Sequence, residues 1–115
     1  MCTQTQLNKI THEVSQGAKD ILGDKLCKVI LYGSYARGDY NDNSDIDIMV
    51  LADVNDIEKP VFLKDVDKIS SNISLENDIT VSISLKDKQF FDTHTGVLPF
   101  YRNVETEGVE VYATQ

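Results

Sequence analysis

Leu7, Ile10, Val14, Ala18 and Ile21 recur at steps of three and four residues, a spacing that predicts an amphipathic helix over residues 4 to 22, closed by Gly23. CKVILYG (27 to 33) is short, apolar and β-branched, and reads as a buried strand. Residues 34 to 38 read as a short helix entered at Ser34, a good N-cap residue, and GDYNDNS (38 to 44) has the composition of a loop. DIDIMVLA (45 to 52) predicts a second strand. Helical spacing returns over 58 to 73, with Phe62, Val66, Ile69 and Ile73 as the stripe and Pro60 in the first turn. In ENDITVSISL (76 to 85), Ile79, Val81, Ile83 and Leu85 alternate with Asp78, Thr80, Ser82 and Ser84, which predicts a half-buried strand. Short helices are expected over 87 to 92 and 97 to 106, and a terminal strand over 108 to 113. The succession predicts an α/β (α+β) chain, a mixed sheet of about four strands flanked by helices.

The second strand carries the chemistry. Successive side chains point to opposite faces, so Ile46, Ile48 and Val50 share one face and Asp45, Asp47 and Met49 the other. With the apolar set in the core, the two carboxylates stand side by side, about 7 Å apart at their Cα atoms. Like charges this close raise each other's pKa unless a cation lies between them. Oxygen-only ligands favour Mg²⁺ or Mn²⁺. Upstream, Gly33 and Ser34 lie where the first strand meets the short helix; N–H groups at a helix start attract phosphate, and glycine lets the backbone approach. Arg37, one turn on, either reaches the same anion or is a solvated surface charge. Together these residues predict phosphoryl or nucleotidyl transfer with two metal ions about 3.5–4 Å apart.

Composition narrows the setting. The 115 residues suit one domain, 1–115, and 41% hydrophobic residues suffice for a core. No apolar run predicts a membrane span, and MCTQTQLNKITHEV lacks the pattern of a signal peptide, so the cytoplasm is the expected compartment. Cys2 and Cys27 form no CxxC pair and read as reduced thiols, Cys27 buried at a strand start. His12 on the first helix and His94 in the polar loop DTHTG have no ligand partner at a recognisable spacing. The formal charge of −8 excludes direct binding of nucleic acid through a basic face; phosphates would be met through metal ions. Tyr32 reads as core, and Tyr35 or Tyr40 as a ring that packs in the fold or stacks on a base. Asp39 and Asp42 read as solvated loop charges, and the tripeptide RGD at 37–39 as chance.

GSYARGDYNDNSDID (33 to 47) has Gly-Ser, ten residues, then Asp-x-Asp. This resembles the signature of the polymerase-β-like nucleotidyltransferases, and with SDIDIMV and the late PFYRNVETEGVEVY (99 to 112) it is similar to the minimal nucleotidyltransferases, the MNT proteins of prokaryotes. The resemblance covers nearly the whole chain and implies the polymerase-β-like fold. It further implies that Asp45 and Asp47 ligate two Mg²⁺ ions (or Mn²⁺), with a third carboxylate on a neighbouring strand. Asp78 is the candidate for that carboxylate and for helping to remove the acceptor proton; Glu76 is the reserve. Gly33 and Ser34, with Arg37, would hold the phosphates of ATP or another nucleoside triphosphate. The implied activity is transfer of a nucleoside monophosphate, AMP from ATP, to a hydroxyl, a tyrosine on a small helical HEPN-type partner, with the two proteins forming a toxin–antitoxin pair. The rival readings are a partner-binding module with a vestigial site and a small-molecule (antibiotic) nucleotidyltransferase.

Overall fold

The computed structural model describes residues 3–113. Helix α1 (Gln4–Leu22) spans the predicted range; the Thr3 hydroxyl accepts from the Gln6 N–H at its start, and Gly23 closes it in a positive-φ conformation. Cys2 lies outside the described residues, and Cys27 is half-buried. A short 3₁₀ turn leads into β1 (Leu26–Tyr32), which ends at the short helix α2 (Ser34–Arg37). Gly33 is the N-cap of α2 and Ser34 its first residue, one position on from the expected cap. Strand β2 (Ile46–Ala52) follows the loop. Helix α3 (Lys59–Asn77) runs four residues past the predicted end, and β3 (Val81–Asp87) starts correspondingly late. Helices α4 (Lys88–His94) and α5 (Pro99–Glu107) precede β4 (Val109–Ala113).

The sheet order is β3-β2-β1-β4, with β2 and β3 parallel and the other pairs antiparallel. Both faces are covered. Helices α1 and α3 pack on the face of Val29, Leu31, Ile46, Ile48, Val50, Val81 and Leu85. Helices α4 and α5 bring Phe91, Tyr101 and Val104 onto Ile30, Met49 and Leu51 of the other face. The unbroken apolar run at the end of β2 therefore has a two-sided cause, as strands buried on both faces require. The N-terminal end of β2 leaves its second face uncovered by these cores; Asp47 lies there, and Asp45, expected to open the strand, stands just before it.

The turn from α5 to β4 is tight. A Cβ at Gly108 would stand 2.3 Å from the Val104 carbonyl oxygen and 2.5 Å from Ile30 Cγ2. Relief has to move the Val104 carbonyl at the end of α5, which the Gly108 N–H bonds at 2.9 Å. Gly108→Ala is therefore expected to destabilise by about 1–3 kcal/mol, the usual cost of overpacking, read as a lower urea midpoint at unchanged slope.

Candidate active site

The end of β1 and the starts of β2 and β3 meet at one end of the sheet. Tyr32 is the register partner of Asp47, and the Ile46 N–H donates to the Thr80 carbonyl at 2.9 Å. Gly33 then turns the chain into α2 at φ +77° and ψ −155°, a region only glycine enters without strain. The turn brings the Gly33 backbone against the Asp47 carboxylate so closely that a Cβ on it would stand 2.6 Å from Asp47 Oδ2. The predicted phosphate loop and the predicted metal pair are thus in contact. The Ala36 and Arg37 N–H groups both donate to the Gly33 carbonyl at 3.1 Å, so the first turn of α2 closes on Gly33 itself and begins with Ser34.

Asp45 is exposed and Asp47 half-buried. Burial, and then the Asp45 charge, push the Asp47 pKa up; the Arg37 guanidinium opposes them. Arg37 is thus electrostatically in the site without being paired to it. Its Nε donates to Asp39 Oδ2 at 3.2 Å and one terminal nitrogen to Glu107 Oε2 at 3.4 Å. Asp39 is accordingly an ion-pair partner rather than a merely solvated charge. Both pairs are exposed, and such pairs contribute little, so Arg37 can exchange them for a phosphate at small cost. Among the described residues no basic nitrogen lies within ion-pairing distance of Asp45 or Asp47. An adjacent carboxylate pair, partly desolvated and without a protein cation, fits a hard divalent ion in donor type and in charge.

The third carboxylate is where the expectation fails. Asp78 does not begin a strand: it caps α3 in the left-handed conformation (φ 52°), its N–H donating to the Ser74 carbonyl. Glu76 is still within α3, and both side chains are exposed. The alternation from Ile79 to Leu85 is sound, but the helix runs into its polar phase, so Asp78 does not inherit the face of Ser82. Among the described residues no three His, Cys, Asp or Glu side chains gather where they could hold a metal ion together. Tyr35 and Tyr40 stack on each other, centroids 4.3 Å apart and planes 11° apart, with Tyr35 buried. Tyr35 thus packs in the fold, and Tyr40 lies half-buried over it. His12 is exposed, and His94 is the last residue of α4, stacked on Phe90.

One part of the site was not foreseen. A cleft of about 350 Å³ runs between α2 and α5, lined among others by Tyr32, Gly33, Arg37, Phe100, Asn103 and Glu107. Phe100 meets the Tyr32 ring edge-on at 5.6 Å. The signal was present in the sequence: Phe100, Asn103 and Glu107 recur at steps of three and four, one face of a helix. Only the packing of α5 over β1 shows that this face looks into the site.

A family model for the nucleotidyltransferase domain matches residues 13–107. The chain belongs to the nucleotidyltransferase family. A candidate protein adenylyltransferase of Methanocaldococcus jannaschii is 38% identical over 106 residues, which cover 92% of this chain and 99% of the relative. Among solved structures, a candidate minimal nucleotidyltransferase superposes with a TM-score of 0.60 at 20% identity, covering 95% of each chain. The MNT antitoxin structure, in complex with the AMPylated HEPN toxin of Shewanella oneidensis, superposes with a TM-score of 0.54 at 22% identity, covering 97% of this chain and 75% of the other. At these identities the two structures speak for the fold, which is that of the polymerase-β-like nucleotidyltransferases. This nucleotidyltransferase is an enzyme by family, and no helix among its described residues is long and apolar enough to cross a membrane.

Proposed function

We propose that this nucleotidyltransferase moves AMP from ATP to a tyrosine hydroxyl of a small helical HEPN-type partner, in a reaction that depends on Mg²⁺ or Mn²⁺, and so acts as the antitoxin of a toxin–antitoxin pair in the cytoplasm. The observation that carries the reading is the contact of Gly33 with Asp47, which sets a phosphate-binding turn directly against a metal-binding carboxylate. The relative of Methanocaldococcus jannaschii, a candidate protein adenylyltransferase, and the antitoxin fold bound to an AMPylated toxin support the acceptor.

The roles follow from placement. Gly33 admits the triphosphate to the backbone, and Ser34 adds a hydroxyl donor. Arg37, released from Glu107 and Asp39, neutralises the terminal phosphates. Asp45 and Asp47 would hold the divalent ion, which would supply charge neutralisation for the phosphate being transferred. The acceptor oxygen bonds to the α-phosphorus as the bond to the bridging oxygen breaks; pyrophosphate leaves and the hydroxyl proton is released. Positioning and electrostatics do the rest.

Co-expression with its helical partner followed by intact-mass spectrometry tests the reading. An AMP-sized mass increase on the partner, absent without the nucleotidyltransferase and mapping to a tyrosine, is expected. A partner that is bound and silenced with no added mass would establish the binding-module reading instead.

A further inference from the structure

Three strands align one polar row across the sheet. Tyr32 on β1, Asp47 on β2 and Ser82 on β3 are direct register partners. Such partners send their side chains to the same face. The face is fixed by what surrounds Ser82. Val81 and Leu85 belong to the core under α1 and α3, and Ile83 packs against it, so Ser82 and Ser84 face the other way. The Ser84 hydroxyl lies 3.5 Å from the Tyr32 hydroxyl, on the face of Asp47. Paired strands lie about 4.8 Å apart, so no position on β3 is nearer to Asp47 than residue 82. This is where a neighbouring strand would have to offer a third carboxylate. The chain offers an exposed serine.

We infer that the site holds a single tightly bound divalent ion with the nucleotide, between Asp45 and Asp47, and that Ser82 is the residue that sets this number. The inference rests on the nucleotidyl-transfer reading. Two divalent ions about 3.5–4 Å apart repel each other and are held together only by anionic oxygens on both sides. The row here is phenol, carboxylate, hydroxymethyl. Neutral Ser82 and Tyr32 add no charge; of the acidic residues around Ser82 in sequence, Glu76 and Asp78 lie outside the strand, and Asp87 ends β3 beside Ala52, in the opposite phase. A serine at 82 likewise leaves the site without a carboxylate from β3.

Mn²⁺ titration of the full chain, followed by electron paramagnetic resonance, tests this. The probe nucleotide is α,β-methylene-ATP, which cannot release pyrophosphate. One tight Mn²⁺ per nucleotide-bound chain is expected for the wild type and for the neutral control Ser82→Asn. Ser82→Asp is expected to bind two, the second tightened by roughly tenfold or more. A second ion bound by the wild type as tightly as the first would overturn the inference while leaving nucleotidyl transfer intact. So would a folded Ser82→Asp protein that still binds one. A wild type that binds neither Mn²⁺ nor nucleotide would remove the nucleotidyl-transfer reading and this inference together. The wild-type count decides even where a variant fails to fold.

Discussion

Asp45→Ala with Asp47→Ala is expected to lower AMP transfer by about a thousandfold or more, while the chain stays folded. The loss is large because both proposed ligands of the ion go at once, and charge stabilisation by a bound metal contributes several kcal/mol at the transition state. The fold survives because the core residues of β2, namely Ile46, Ile48, Met49, Val50 and Leu51, are untouched and fully buried. Single-turnover rates with the purified partner measure the loss, and a thermal melt the integrity. A second readout separates ligand loss from damage. The Asp47 pKa is raised in the folded protein, so the folded state holds the Asp47 proton to higher pH than the unfolded chain does. The ionised carboxylate then costs stability above its folded pKa, and the cost fades as pH falls toward the unfolded carboxylate range. In EDTA, Asp47→Asn should therefore melt at or above the wild type at neutral pH, with the difference vanishing in acid. A clear loss of stability at neutral pH would mean that Asp47 has protein partners to lose.

Gly33→Ala is expected to damage stability and activity together. The conformation at φ +77°, ψ −155° is essentially restricted to glycine, and forcing alanine into it costs about 1–3 kcal/mol. The added methyl would also stand 2.6 Å from Asp47 Oδ2, so the carboxylate must swing away or the turn must open. Either displacement separates the turn proposed to bind phosphate from the proposed metal ligand, and a shift of about 1 Å at such a site costs on the order of a hundredfold in rate. Urea unfolding and partner AMPylation measure the two effects. The outcome that sinks the argument is a variant that loses the stability but keeps the rate, since the Gly33–Asp47 contact would then be structural alone.

Much of this was legible in the chain because local physics settles it. Residues 4–22 form a helix on their spacing alone, closed by a glycine at positive φ. The alternation in DIDIMVLA separated Ile46, Ile48 and Val50 from Asp45 and Asp47, and the structure keeps that separation. The motif at 33–47 was equally readable, since glycine, a helix start and paired carboxylates each have a short-range reason to stand where they do.

The remainder depends on register and on which elements cover which face, and neither is local. Alternation alone cannot say where a helix stops, so Asp78 shared a phase with Ser82 on paper but became the left-handed cap of α3 when the helix ran on to Asn77. The burial of Met49 required α4 and α5 on the second face of the sheet. The cleft required α5 to pack over β1, and the second ion pair of Arg37 required Glu107, seventy residues away in sequence. By itself the sequence determined that a glycine turn at a helix start and a carboxylate pair are present, because each is built from a few consecutive residues. Tertiary structure alone decided that they touch through Gly33 and that the third strand meets Asp47 with Ser82, because strand pairing between distant segments sets those distances.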